Sequence, residues 1–337
     1  MKKLIKFLMM ACVFCSLVGC ERHDEMAYEK KLQVKTDPAP SLDFDRYEEV
    51  LFHLDTARFQ QELMAIQDDY LPFLSGDLEN PDAIKYLKEF VIDTVSVSLY
   101  RKVMALYPDL DGVKKTVEEV YRHFHYYYPE IPLPQKVYTC VSGVDPQTPS
   151  VLVFDDAVVI SLDWYLDGDQ VYDWIGMPQY RSARTVPASL PKDLAQQLYN
   201  HFLLKDRRQT NVLEEMMAAG KLDFFAEAMC PSLTDEVLLG YTPEQLVWAE
   251  TNEGELWADI VGNQRLYATD LEMFRTFFSD GPFTNEYSYD APPRLGEFVG
   301  LHVIRSYMSF NDCSLRDLMS DNDLQGIFQA SNYKPKK

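Results

Sequence analysis

Residues 189–204, SLPKDLAQQLYNHFLL, wind at about 100° per residue into a helix with Leu190, Leu194, Leu198 and His201 on one side. Gln197 falls beside His201. Zinc peptidases carry H-E-x-x-H on such a helix: two histidines one turn apart hold the metal, and the glutamate after the first activates water. The matching positions here read Gln197, Leu198 and His201. Leucine takes no proton from water, and a catalytic zinc needs three protein ligands, of which this helix offers one. His201 points where the leucines point, so the spacing predicts a core histidine and not a ligand.

A second helix follows Thr242. Its apolar seam is predicted as Leu246, Glu250, Glu253, Trp257 and Ile260, at steps of four and three. Two carboxylates thus lie in an apolar stripe. A buried, unpaired carboxylate costs on the order of several kcal/mol or shifts its pKa. Glu250 and Glu253 therefore need an arginine, a solvent-filled cleft or a metal, and a structural ion pair is the commoner arrangement. Arg294 and Arg305, eleven residues apart on the last long helix, are the candidate partners for Glu253. Arg294 opens that helix, where the macrodipole disfavours a cation, so something else must hold it there. His123 and His125 are two residues apart, a spacing that splays their rings on a helix. No G-x-S-x-G, P-loop, dinucleotide fingerprint or EF-hand loop occurs.

The elements that position these residues follow from hydrophobic period. Residues 42–130 read as an N-terminal helical region. Residues 131–337 hold a small sheet and then helices, packed with the former as one main domain. KVYTCVSGV and SVLVFDDAVVISLDWYL are β-rich, and Asp155-Asp156 break the second into two strands that could form a hairpin. DWIGMPQYRSARTVP reads as a loop. Asn211 with Glu214, and Thr242-Pro243-Glu244-Gln245, are helix-start signals. The fold class is α+β, mostly helical, with the sheet in the middle of the chain.

The N-terminus reads as an export signal: Lys2, Lys3 and Lys6, then an apolar run too short to span a membrane. Leu17-Val18-Gly19-Cys20 matches a bacterial lipobox. Residues 1–19 are then a lipoprotein signal peptide, Cys20 carries the lipid, and residues 20–41 form a tether. Loss of the signal leaves 29 basic against 53 acidic side chains, a net charge of −24. Such a surface repels nucleic acid and anionic head groups, so acyl chains and not a basic patch hold the protein at its membrane. Cys140, Cys230 and Cys313 remain, an odd number with no C-x-x-C. Free thiols are favoured, and one disulfide among the three stays open.

Seven runs occur in one order: VVISLDWYLDGD, GMPQY, MMAAGKLDFFAEAMCP, GYTPEQLVWAETNEGELWADI, LYATD, PFTNEYSYDAPPRLGEFVGLHVIRSYM and SNYKPKK. On these the chain resembles the gliding motility lipoprotein GldB family of Bacteroidota. The resemblance implies a lipid-anchored protein of the cell envelope, in the inner or outer membrane and facing the periplasm. It implies no catalytic residue, cofactor or metal. The second half is also similar in layout to gluzincin-type zinc peptidases. On that alignment Gln197 replaces the first histidine, Leu198 the glutamate and Ala219 the third ligand, leaving His201. That would be a degenerate zincin-like fold without its zinc.

The expectation is a non-catalytic lipoprotein that binds an envelope protein or cell-wall component. Its cleft would be lined by the PFTNEYSYDAPPR loop and the TNE helix, with Glu250, Glu253, Arg294, Arg305 and His201 as the polar network. The competing expectation is a hydrolase using Glu250 and Glu253, with His201 and a metal. That reading requires His201 to lie near a carboxylate and open to solvent.

Overall fold

The computed structural model describes residues 27–38, 41–204 and 210–335. Cys20 and the signal segment lie outside these residues. The described chain is mostly helical around one four-stranded sheet of order β1-β2-β4-β3. Strand β1 (Asp43–Arg46) runs parallel to β2 (Lys136–Cys140), and β2 parallel to β4 (Ala157–Ser161). Strand β3 (Val151–Val153) closes the sheet antiparallel to β4, through the hairpin turn at Asp155-Asp156.

Parallel strands covered on both faces read as near-continuous apolar runs, and β4, AVVIS, is buried throughout. Alternation assigns the faces. Val137, Val158 and Ile160 join the main core, and Tyr138, Cys140, Ala157 and Val159 a second core with Tyr47, Leu51, Phe59 and Leu63. The helical region expected over 42–130 therefore contains a strand. Four residues are too few to show a period, and β1 exists only because β2, far along the chain, offers its edge.

A further difference concerns the tether. Residues 27–32 form a docked helix, α1 (Ala27–Leu32). Leu32 is buried, the Tyr28 ring lies 6.0 Å from that of Phe224, and Lys31 Nζ donates to the Asn311 carbonyl at 2.5 Å. Tyr28 and Leu32, one turn apart in a charged stretch, are too short an apolar face to register as a pattern.

The helices behind the sheet are α2 (Asp111–Tyr127), α3 (Leu190–Phe202), α4 (Val212–Met229), α5 (Asp235–Leu239), α6 (Pro243–Gly262) and α7 (Leu295–Phe310). Helices α4 and α7 cross at Gly220 and Gly300. A Cβ on Gly220 would meet the Gly300 carbonyl carbon at 2.2 Å, and one on Gly300 the Met216 oxygen at 2.0 Å. Two glycines thus let the backbones touch, and both helices are buried on nearly every side. No described helix is long and apolar enough to cross a membrane. Cys140, Cys230 and Cys313 are free thiols.

Candidate functional site

Helix α6 starts as its sequence dictates. Thr242 and Gln245 complete a reciprocal capping box, with Pro243 in the first turn. Its buried seam is Leu246, Ala249, Glu253, Leu256 and Ile260. Glu253 is 1% exposed, whereas Glu250 is exposed and Trp257 half-buried. Steps of three and four can run through Ala249 and Leu256 or through Glu250 and Trp257. Packing selects the first, because it leaves one carboxylate to satisfy and not two.

Neither arginine is a partner of Glu253 by hydrogen bond. Its Oε1 accepts from His302 Nδ1 at 2.6 Å and from the Tyr333 hydroxyl at 2.7 Å. His302 lies on α7 between buried Leu301 and Val303. A histidine inside the apolar run FVGLHVI was the available signal. Arg305 instead bridges two other helices. Its Nε and Nη2 reach the Glu227 carboxylate, both at 3.0 Å, and Nη1 and Nη2 reach Asp235 at 2.8 and 2.6 Å. The Tyr28 ring lies 5.5 Å from its guanidinium. This fork ties α4, α5 and α7 together with α1.

His201 is exposed at the last turn of α3, contrary to the predicted core position. Leu190, Leu194 and Leu198 are buried as expected, but the helix ends one residue later and the imidazole swings to the hairpin turn. There Nε2 lies 2.9 Å from Asp155 Oδ1. His201 thus has a nearby carboxylate and open solvent, but the carboxylate is Asp155, itself 95% exposed, and neither Glu250 nor Glu253. The rings of His123 and His125 part as expected: His123 Nδ1 bonds the Glu119 carbonyl and His125 is exposed. Among the described residues no three His, Cys, Asp or Glu gather as a metal site.

The polar pair one turn apart that does converge is Lys192 and Gln196, five residues before the spacing read from sequence. Gln196 Nε2 donates to Asp223 Oδ1 at 3.1 Å, and Lys192 Nζ lies 3.6 Å from the same atom and donates to the Leu238 carbonyl. Burial pushes the Asp223 carboxyl up to about 6, against the pull of Lys192. Asp193, next along, accepts from the Tyr165 hydroxyl at 2.7 Å and from Ser150 at 3.1 Å, and burial raises its pKa as well. A first-turn lysine is disfavoured by the helix dipole. Asp223, reaching over from α4, is what holds it.

Lys192, Asp193 and Tyr165 floor a cavity of about 430 Å³. One wall is 146–150, the lead-in to β3. The other is Arg181, Arg184 and Arg294, with Gly240 between. Arg181 Nε and Arg184 Nη1 hold opposite oxygens of Asp280, at 3.0 and 2.7 Å. Arg294 caps α7 in the left-handed region, φ 56°, with Nη1 on Glu297 at 2.8 Å and Nη2 on the Leu239 carbonyl. That answers what holds a cation at the helix start: two acceptors offset the dipole. Gly240, φ 62°, lets the two guanidiniums approach, since a Cβ there would meet Arg184 Cδ at 3.0 Å and Arg294 Nη2 at 3.1 Å. Burial and then the Arg294 charge pull the Arg184 pKa down. Arg294 Nε and Trp164 Nε1, atoms of two lining residues that are themselves buried away from the cavity space, have no hydrogen-bond acceptor among the described residues.

The 282–294 loop, expected to line a cleft with α6, is bonded to that helix. Gln245 Nε2 donates to the Pro282 carbonyl at 3.2 Å and the Tyr287 hydroxyl to Asp259 at 2.7 Å. Of the expected network the cavity takes Arg294 alone. Sequence reading missed Arg181, Arg184, Lys192 and Asp193. The available signal was a cluster of bases in a strongly acidic chain.

A family model described as "Gliding motility protein GldB" matches residues 29–335. No curated protein and no solved structure matches the chain.

Proposed function

Because the chain belongs to the GldB family of gliding motility proteins, we propose that it is a non-catalytic envelope lipoprotein, anchored through Cys20, that binds its partner at the cationic cavity. The partner is an envelope protein or cell-wall component of the gliding or a related machinery, and not nucleic acid. The observation that carries the reading is the state of the acids. Glu253 is locked by His302 and Tyr333, Asp223 by Gln196 and Lys192, and Asp193 by Tyr165 and Ser150, while the cavity wall presents guanidinium donors. Groups so engaged bind and position; a general base must be free to take a proton.

The same floor supports a degenerate peptidase layout. Lys192-Asp193-Leu194-Ala195-Gln196 has the i, i+4 pair and following acid of a zinc helix, with an ammonium where the cation would be. On this reading a peptidase-like cleft has kept its shape and lost its metal. The hydrolase alternative loses the grouping it needs, since His201, Glu250 and Glu253 have separate surroundings.

The test is complementation in a gliding strain lacking its own family member. The Arg181→Gln/Arg184→Gln chain should accumulate and fractionate with membranes as wild type does, yet fail to restore colony spreading. Cys20→Ser should leave the membrane fraction. Full spreading by the double variant would move the site of action away from the cavity.

A further inference from the structure

We propose that α1 is a releasable clasp: it leaves the body while the rest of the fold stays closed, and its release lengthens the arm between Cys20 and the body. The lengthening rests on reading Cys20 as the anchor, and the release does not.

A helix of six residues does not stand alone in water, because nucleation costs more than so few bonds return. Only docking keeps α1 helical, and three side chains carry it. Tyr28 and Leu32, one turn apart, form the inward face. Leu32 is buried, and Tyr28 lies against Phe224 and the Arg305 guanidinium. Lys31 Nζ adds its bond to the Asn311 carbonyl. Glu29 and Lys30 are exposed, and among the described residues no backbone group of α1 bonds to the backbone of the body. An attachment this small belongs to the low end of local stability, where segments open on their own.

The body keeps its bonds without α1. Those of Arg305 go to Glu227 and Asp235, so no ion pair loses a member when Tyr28 leaves. Asn311 Nδ2 donates to the Tyr307 and Ala330 carbonyls, at 2.9 and 3.0 Å, and these bonds hold the end of α7 whether or not Lys31 is present. The crossing of α4 and α7 is made by Gly220, Gly300 and Met216, with no part from α1.

Nothing just downstream replaces the clasp. Residues 33–38 form no helix or strand, and none of them is buried. The next backbone bond to the body among the described residues is at β1, where Asp43 N donates to the Gln135 carbonyl at 2.9 Å. With α1 docked, eight Cα steps join Cys20 to Tyr28; with α1 released, twenty-three join it to Asp43.

The test of release is trypsin cleavage of the mature chain in detergent, with fragments identified by mass. Lys35→Gln removes an exposed site that needs no opening. Lys221, 5% exposed on α4, reports unfolding of the body. Cleavage at Lys30 and Lys31 should proceed without urea and rise only slightly with it, because opening exposes little surface, whereas cleavage at Lys221 should climb steeply with the global transition. Leu32→Asp should speed the first by about tenfold or more and leave the urea slope of the global transition unchanged; Tyr28→Ala serves if that chain does not fold. The same urea dependence at both places, or no acceleration in a folded variant, overturns the proposal. The length is read on the acylated chain by neutron reflectometry at a supported bilayer. The mean height of the body should rise in Leu32→Asp by on the order of 10 Å, since the span of a free chain grows as the square root of its links. An unchanged height overturns the lengthening. If the chain fails to join membranes yet is cut as expected, the anchor reading falls and the release stands.

Discussion

Asp163 shows how far one buried acid can be enclosed. It is 0% exposed and accepts from the backbone N–H of Ser142, Gly143 and Val144, at 3.0, 2.8 and 3.1 Å for one carboxylate oxygen. Those bonds hold a tight turn in which Gly143 and Val144 both have positive φ, 78° and 58°. A β-branched residue there is strained, so the acid is what keeps the turn. Burial outweighs the donors and lifts the Asp163 carboxyl to about 6, and Asp223 likewise to about 6. Both pKa values are raised in the fold. The folded chain therefore holds protons that the unfolded chain has released, and stability falls as pH climbs from about 4 to about 6. At its steepest the fall is about 1.4 kcal/mol per pH unit for each group. Urea unfolding across that window should show the decline, and Asp163→Asn should make it shallower while lowering stability throughout. A stability that rises steadily from pH 4 to 6 would contradict the assignment. At this scale the sequence exposed the need for partners better than their identity. Glu253 is buried and polar-bonded as its seam position required. Its partners His302 and Tyr333, and those of Arg305, come from segments that only the folded chain brings together.

The α4–α7 crossing carries the helical half. Gly220 and Gly300 let two backbones meet with no side chain between them, so any Cβ at Gly300 must move the Met216 carbonyl. Overpacking of a rigid contact costs typically 1–3 kcal/mol, occasionally more. Gly300→Ala should therefore lower the urea midpoint by an amount in or above that range, and an unchanged midpoint would mean the crossing can open freely. Helix α3 gives a second test. If its Lys192/Gln196 spacing is that of a vacated metal helix, Lys192→His/Gln196→His beside Asp223 completes a His₂-carboxylate set. The double variant, expressed without tag histidines and dialysed against zinc, should retain about one zinc per chain by elemental analysis, and the wild type close to none. Retention of zinc by neither would remove the peptidase-like reading. Helix positions, the capping box of α6 and the β3–β4 hairpin were legible, because their signals are local. The phase of α6 and the end of α3 were not. Two seams fit one period in the first, and a single residue past the stripe turned His201 outward in the second.

For the whole molecule, the α+β class followed from the change of period along the chain, and the family from runs spread over most of it. The joining of residues 43–46 to the central sheet could not be read, since a four-residue strand is defined by its neighbour. Nor could the cavity, whose walls come from 146–150, 181–193, 237–240 and Arg294. The docking of α1 bears on geometry at the membrane. Tyr28 is packed on Phe224 and Arg305, and Lys31 on the end of α7. Eight Cα–Cα steps, through seven intervening residues, separate Cys20 from Tyr28. Fully stretched they span at most about 28 Å. Were Cys20 lipidated as proposed, the body would ride within that reach of the lipid, with the α1 side turned towards the bilayer. A partner would then have to come within about one domain's breadth of that membrane to be met.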